Sequence, residues 1–385
     1  MRWASTVSSA DTVERAIAEV SVEVRRQLGD VRPDLAVVFV SQEHQAGYAA
    51  VPALLSRELE VATLIGCSAG GVIGGGREVE HAPGLSLTVA SLPDVILTPF
   101  HLVEPLAAEA LPVALGIPAD CDPQFVLLPE PFSFDSDTFL HTLDDAYPGC
   151  VKVGGIASGA REPGQNVLYL NAQVHRSGLV GLALTGDVRI DTIVAQGCRP
   201  IGEPMFVTRA ERNLIHTLDG RPPVAVLREL YERATPQDQE LFQQSLFLGV
   251  VMVESRQEYH QGDFLIRNVI GADGTTGALA VGALVSTGQV VQFHLRDART
   301  SADDLGSLLA RYEETPIGAL LFSCLGRGGG LYGHADHDPA ALRQRCGDVP
   351  LGGFFCNGEI GPVGGTTFLH GYTSAFGLFR PRPRT

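Results

Sequence analysis

Apolar positions in the first thirty residues recur at helical spacing. Val13, Ala16, Ile17, Val20, Val24 and Leu28 fall on one face and predict an amphipathic scaffold helix. Asp11, with Glu14 three residues on, is placed to cap it, and Gly29 ends it. Short apolar runs then alternate with helical patterns. Strands are expected over 35–41 and 62–66 around a helix over 48–59, with a glycine turn at 66–71 and strands at 85–90 and 95–100. The same order recurs with strands over 125–128 and 151–155, a helix over 135–146, a turn at 156–159, and strands at 167–170 and 179–184. It recurs a third time with strands over 319–323 and 351–355, a helix from Asp338-Pro339 to Arg345, and strands at 367–370 and 374–379.

This order reads as an internal duplication of a strand, helix, strand, glycine turn and hairpin. Gly66-Cys67-Ser68-Ala69-Gly70 lies over Gly155-Ile156-Ala157-Ser158-Gly159, and Phe355-Cys356-Asn357-Gly358 lies over both. The period is too long for a solenoid. Between the second and third copies, helices are expected over 208–218, 222–233 and 236–246. Strands follow at 248–253, 264–270 and 289–294, then a helix opened by Ser301 and Asp304 that runs to about Tyr312.

Composition narrows the class. The chain has 385 residues, of which 45% are hydrophobic and 19% charged, enough for a sizeable core. A net charge of −16 makes nucleic acid a poor partner. The basic tail Arg380-Pro-Arg382-Pro-Arg384 reads as a frayed end. Seven cysteines fit no disulfide framework and include no Cys-x-x-Cys pair, which points to a reducing cytoplasm. The start, Met1-Arg-Trp-Ala-Ser, has no apolar signal core. The uncharged stretch 274–293 holds too many Thr, Ser and Gln residues for a membrane helix and reads as two strands, so no membrane insertion is expected.

Several motifs in order carry a family resemblance. They are Gly66-Cys67-Ser68, Gly197-Cys198-Arg199-Pro200-Ile201-Gly202, and Gly262-Asp263-Phe264 with Arg267. Gln292-Phe293-His294 with Arg296-Asp297 follows, then Asn357-Gly358-Glu359 and His370-Gly371-Tyr372. Over residues 35–379 the chain resembles the FIST family, with both its N-terminal and C-terminal domains. The resemblance implies an intracellular sensory module that binds small ligands such as amino acids. Relatives accompany chemotaxis receptors, cyclic-dinucleotide enzymes or an F-box. This chain has no F-box pattern in its first thirty residues, so a stand-alone unit that signals through a separate partner protein is expected.

The expected fold is mixed α/β: an N-terminal helix at 1–33, a FIST N-terminal domain at 34–220 and a FIST C-terminal domain at 221–380. The sheets are mixed and largely antiparallel, flanked by helices, and the glycine turns gather near a cleft between the halves. Candidate ligand-binding residues are Cys67, Ser68, Arg199, Arg267, Arg296, Arg327, Asn357, Glu359, His370 and Tyr372. Backbone donors in the last glycine turn suit a carboxylate, and Glu359 suits an ammonium group. His370 and Tyr372, two apart, would share one strand face; a core histidine is the alternative. Arg267 with Asp263, and Arg296 with Asp297, are either structural ion pairs or forks for a ligand carboxylate. Arg199 carries the same choice.

Cys67, Cys324 and Cys356 stand at strand ends, where a nucleophile would need a base such as His370 or His334. His334-Ala335-Asp336-His337-Asp338 has the look of a metal cluster, but Asp338 is expected to serve as a helix cap, and no metal is assigned. Gly328 to Gly333 spells G-x-G-x-x-G, but the helix signal begins only at Asp338, so no nucleotide is assigned; Arg327 beside it is an anion contact. The reading is non-catalytic binding of a small zwitterionic or anionic ligand, with no cofactor. A cysteine- or carboxylate-dependent hydrolase or transferase, and a protein-interaction adaptor, are the alternatives.

Overall fold

A computed structural model of the chain describes residues 1–253 and 258–383. It is a mixed α/β protein with two compact units, Met1–Val194 with Leu308–Thr385, and Ala195–Ser307. The second unit is therefore inserted in the first.

The first unit contains the same element order three times. The first repeat is β1 (Arg2–Ser8), α1 (Val13–Leu28), β2 (Leu35–Ser41), a 3-10 segment (Gln42–Ala50), α2 (Val51–Glu58), β3 (Thr63–Ala69), β4 (Gly71–Gly74), β5 (Arg77–Glu80) and β6 (Leu85–Ser91). The second is β7 (Val95–Leu102), α3 (Leu111–Leu115), β8 (Gln124–Pro129), α4 (Ser136–Ala146), β9 (Lys152–Gly155), β10 (Leu168–Leu170), β11 (Gln173–His175) and β12 (Leu179–Gly186). The third opens with β13 (Arg189–Gln196). Here the second unit intervenes, with β14 (Cys198–Glu211), β15 (Leu214–Leu218), α5 (Pro223–Arg233), α6 (Pro236–Gln244), β16 (Leu246–Val251), β17 (Phe264–Ala272), β18 (Leu279–Val281) and β19 (Val290–Arg296), and α7 (Ala298–Arg311) crosses back into the first unit at Leu308. The third repeat resumes with β20 (Gly318–Cys324), α8 (Gly328–Tyr332), α9 (His337–Cys346), β21 (Leu351–Cys356), β22 (Glu359–Val363), β23 (Thr366–His370) and β24 (Thr373–Arg380).

Each repeat builds a parallel pair, β2 with β3, β8 with β9, and β20 with β21. The repeats then trade hairpins in a closed cycle. The hairpin β10–β11 of the second repeat pairs with β3 of the first, β22–β23 of the third with β9 of the second, and β4–β5 of the first with β21 of the third. The result is three six-stranded sheets.

The central strands are apolar on both faces because both faces are covered. Val37 and Phe39 of β2 point into one shared core with Val126, Leu128, Leu320, Phe322 and Phe354 from the other two sheets. The Phe39 and Phe354 rings stack at 4.5 Å. The alternate residues Ala36, Val38 and Val40 face outward onto Ile17, Val20 and Val24 of α1 and Leu55 of α2. Phe125 and Leu127 likewise pack against Phe139 and Leu143 of α4.

Register fixes the equivalence of the repeats. Gly66, Gly154 and Gly353 each lie beside the middle of the parallel partner, opposite Val38, Leu127 and Leu321. A Cβ on these glycines would stand 1.9, 2.0 and 1.9 Å from the facing carbonyl oxygen. Gly66 thus corresponds to Gly154 and not to Gly155. Gly70 lies four residues after Gly66, whereas Gly159 and Gly358 lie five after Gly154 and Gly353, so an alignment on that last glycine slips the strand by one.

The second unit is a closed antiparallel barrel in the order β14-β15-β18-β17-β16-β19. Val207, Ile215, Leu248, Leu279, Val281 and Phe293 fill it. Residues 208–218, expected as a helix, are the β14–β15 hairpin, turning at Arg212 with φ 55. The helix-forming Ala210, Glu211 and Arg212 are outweighed by ladder pairing of β14 with β15 and of β15 with β18.

Three helix starts also differ from expectation. Thr12, not Asp11, caps α1 by accepting the Arg15 N–H. Asp297 accepts the Thr300 N–H at the start of α7, leaving Ser301 buried inside the helix. Asp336 stands at the cap of α9, because Asp338 is buried in an ion pair. The tail is pinned as far as Arg382: Arg380 pairs with Asp191, and Arg382 with Asp122. Arg384 lies outside the described residues. Among those residues no helix is long and apolar enough to cross a membrane.

The strand-packed glycines are the sharpest local demand of this fold. Gly154→Ala should destabilise the protein by roughly 3 kcal/mol through forced separation of β8 and β9. Gly330→Ala, where an added Cβ meets nothing within 4 Å, should be near neutral. Denaturant unfolding of both variants checks this, and equal midpoints would refute it.

Candidate functional site

The carboxyl ends of the three parallel pairs meet and are laced together. Gly70 donates its N–H to Ser158 Oγ at 2.8 Å, and Ser158 Oγ donates to the Phe355 carbonyl at 2.5 Å. The Ser158 N–H reaches the Ser68 carbonyl at 3.2 Å, and the Asn357 N–H reaches that of Ile156 at 3.1 Å. Asn357 Nδ2 donates to the Ala157 carbonyl at 3.0 Å. The glycine turns thus gather within the first unit. In open α/β sheets, the carboxyl ends of parallel strands are where ligands bind.

One loop breaks the threefold pattern here. The connection from β3 to β4 is Gly70 alone, and that from β21 to β22 is Asn357 and Gly358, but β9 and β10 are joined by residues 156–167. This long loop faces the 3-10 segment after β2 across a cleft of 380 Å³. Gln42, Gln45 and Tyr48 line one wall, and Gly159 to Glu162 with Gln165 the other. Arg161 and Glu162 bring opposite charges to the rim, and both are exposed. Arg176 Nη1 anchors the loop by donating to the Gly164 carbonyl at 2.7 Å.

Behind the loop lies a buried polar chain. Ser68 Oγ donates to Asn166 Oδ1 at 3.1 Å and accepts the Val167 N–H. Asn166 Nδ2 donates to Glu130 Oε1 at 3.1 Å, and the other Glu130 oxygen accepts from Phe132 N and Ser133 Oγ. Asn166 Oδ1 also accepts the Ala160 N–H at 3.3 Å. Ser68, Glu130 and Asn166 are all buried. Tyr48 donates to the Ser41 carbonyl at 3.1 Å, and burial pushes its phenol up, so it stays protonated. Clefts of 530 and 570 Å³ lie at the amino ends of β8 and β9 and on the barrel of the second unit.

Residues 34–221 match the FIST N domain, and residues 223–362 match the FIST C domain. The chain belongs to the FIST family. It is similar to uncharacterized protein Rv0628c of Mycobacterium tuberculosis (strain ATCC 25618 / H37Rv), at 40% identity over 98% of this chain and 100% of the relative. It is also similar to uncharacterized protein Mb0898c of Mycobacterium bovis (strain ATCC BAA-935 / AF2122/97), at 35% identity over 98% of this chain and 99% of the relative. FIST domains are described as sensory domains that bind small ligands in signalling. The family's two sequence domains meet near residue 222 and so divide the chain differently from its compact units.

The candidate residues of this FIST protein fall in separate places. Ser68 and Asn357 belong to the laced strand ends. Cys67 is fully buried in the shared core, and burial raises its thiol pKa. Arg199, Arg267 and Arg296 are in the second unit. Arg199 pairs with Asp238 and with Asp297, the latter at 3.0 Å, and so ties the starts of α6 and α7 to β14. Arg267 donates to the Ile266 carbonyl at 3.2 Å, and the Arg296 guanidinium sits 5.8 Å from the Phe247 ring centre.

Arg327 is wholly buried and forks Asp338 through Nε at 2.9 Å and Nη2 at 3.1 Å. Asp338 also accepts from Ser374 and from Tyr332. Burial works to raise the Asp338 carboxyl, but Arg327 outweighs it and holds the group well below the usual range. Helix α8 does open at Gly328, contrary to the sequence expectation. Its Gly329 N–H, however, is taken by Glu80 Oε1 at 2.8 Å, and a Cβ at Gly328 would strike the same carboxylate. The place of a phosphate is filled by a side chain.

Glu359 is buried, with Thr373 donating N–H and Oγ1–H to Oε2 at 3.0 and 2.7 Å. Burial, partly offset by these bonds, raises its pKa to about 7. His370 Nε2 lies 3.0 Å from the Gly361 carbonyl in the core. Tyr372, half-buried in the turn after β23, has φ 65, so it does not continue the strand face of His370.

The cleft residues Gln42, Gln45, Tyr48, Arg161, Glu162 and Gln165 are not among the sequence candidates. Their signal was the polar Gly-Ala-Arg-Glu-Pro-Gly-Gln run in a connection that is nearly absent from the other two repeats.

A buried acid with a raised pKa favours folding when neutral. The contribution of Glu359 is present below its unfolded value of 4.5 and is lost as pH rises through about 7. Glu359→Gln should therefore flatten the fall of Tm between those values. An unchanged slope would contradict this.

Proposed function

We propose that this FIST protein is a sensory protein whose small ligand sits in the cleft between the 3-10 segment and the 156–167 loop. The carrying observation is the rim, where Arg161 and Glu162 stand beside three glutamine amides. An amino acid needs donors for its carboxylate and an acceptor for its ammonium group, and this rim offers both. The volume of 380 Å³ suits a small molecule. The Glu130–Asn166–Ser68 chain supports the reading because it preorganises the loop at the strand ends. Arg199, Arg327 and Glu359 keep structural roles in this reading.

The ligand class is an amino acid or a related small anion. Occupancy favours a closed form of the loop, and a separate partner protein reads that population. Seven cysteines without a disulfide framework support a reducing, cytoplasmic setting.

The test is a thermal-shift panel of amino acids and small organic acids on the full chain. At 100 times its dissociation constant a true ligand adds roughly 2.7 kcal/mol of stability. Arg161→Gln should weaken binding of that ligand about tenfold or more, the effect of losing one charge-assisted bond. No shift across the panel, or a shift indifferent to Arg161→Gln, would sink the proposal.

A further inference from the structure

The third repeat carries a pair of thiols that the ligand cleft does not use. Cys324 ends β20, Cys356 ends β21, and the two are direct partners across the parallel ladder. Neighbouring strands run about 4.7–4.9 Å apart, inside the roughly 4.4–6.8 Å Cα separation that a disulfide spans. Their side chains leave the same face of the sheet, as do those of Phe322 and Phe354 two residues earlier. Both cysteines are the last residues of their strands, and the Leu325 N–H still reaches the Cys356 carbonyl at 3.1 Å. Neither is in a disulfide.

The two thiols are differently placed. Cys324 is half-buried, next to the exposed Leu325. Its sulfur accepts the Gly326 N–H at 3.5 Å and lies in the field of the Arg327 guanidinium. Partial exposure of this kind lets an oxidant reach the sulfur. Cys356 is wholly buried. It donates to the Ser323 carbonyl at 3.3 Å and to Glu359 Oε1 at 3.4 Å. The corresponding pair in the first repeat is Ser41 and Ala69, so the dithiol is not part of the repeated architecture.

We propose that Cys324 and Cys356 form a peroxide-oxidised dithiol site, with Cys324 as the attacked thiol, Cys356 as the resolving thiol and Glu359 as its proton acceptor. In the first step the Cys324 thiolate attacks one peroxide oxygen. An S–O bond forms, the O–O bond breaks, and the leaving oxygen departs as water or an alcohol after taking a proton. Cys324 is now a sulfenic acid. In the second step Cys356 passes its proton to Glu359 and attacks the Cys324 sulfur. The S–S bond forms, the S–O bond breaks, and the hydroxyl leaves as water with the proton from Glu359. Two thiols and one peroxide give one disulfide, one water and one water or alcohol, a balanced two-electron exchange.

The full-length protein is treated with hydrogen peroxide, denatured and titrated for thiols. The titratable count should drop from seven to five. Peptide mapping should find the 324–356 crosslink at the loss of two hydrogen atoms. Cys356→Ser should instead accumulate a dimedone-trapped sulfenic acid at Cys324, and Cys324→Ser should yield neither product. Glu359→Gln should slow crosslinking severalfold while leaving sulfenic acid formation unchanged. The proposal is overturned if wild-type protein shows no such crosslink, if the bond joins other cysteines, or if Cys324 is not trapped in Cys356→Ser. These readouts are independent of any cleft ligand.

Discussion

No sheet in the first unit is complete without a hairpin from another repeat. The parallel pairs β2–β3, β8–β9 and β20–β21 each leave one edge open, and that edge is covered by β10, β22 and β4 respectively. An open edge is a row of unpaired donors and acceptors that invites association. Covering those three edges in a cycle ties each repeat to the other two. The shared core follows, because strands so linked must turn one face toward a common centre, where Phe39, Phe322 and Phe354 meet.

The same exchange shapes the cleft. Antiparallel addition of each hairpin brings its approach loop against the carboxyl ends of the neighbour's parallel strands. In two repeats that approach is one or two residues long and leaves no space. In the second repeat it is long, and the surplus chain stands off the strand ends over Tyr48 and Ser68. The cleft is thus a departure from symmetry, and Glu130 and Asn166 anchor its loop from behind. The inserted barrel enters in the connection from β13 to β20, ahead of α7, where the other repeats carry only α1 or a short α3 segment.

Burial explains why the candidate residues around the last glycine turn have mainly structural partners. Arg327, Asp338 and Glu359 are charged or titratable and fully enclosed, so each is surrounded by partners. Such groups look in a sequence like ligands waiting for a substrate. Arg199 has the same history, with two aspartates supplied by distant helices. The dithiol differs because its members are related by strand register, a relation that sequence spacing does not display.

The periodicity of apolar residues determined much on its own. The helix at Val13–Leu28 and the strands at Leu35–Ser41 and Leu351–Cys356 were legible because burial on a defined face imposes a local pattern. So was the threefold recurrence of strand, helix, strand and hairpin, since each copy solves the same local packing problem. Tertiary structure alone decided which hairpin completes which sheet, because edge pairing joins residues more than a hundred positions apart. It also decided that residues 208–218 are barrel strands, since ladder bonds within the β14–β15 hairpin and to β18 outweigh local helix preference. It placed Gln42 beside Arg161 and Cys324 beside Cys356. Those adjacencies depend on strand order and register, which the linear pattern of hydrophobic and polar residues does not encode.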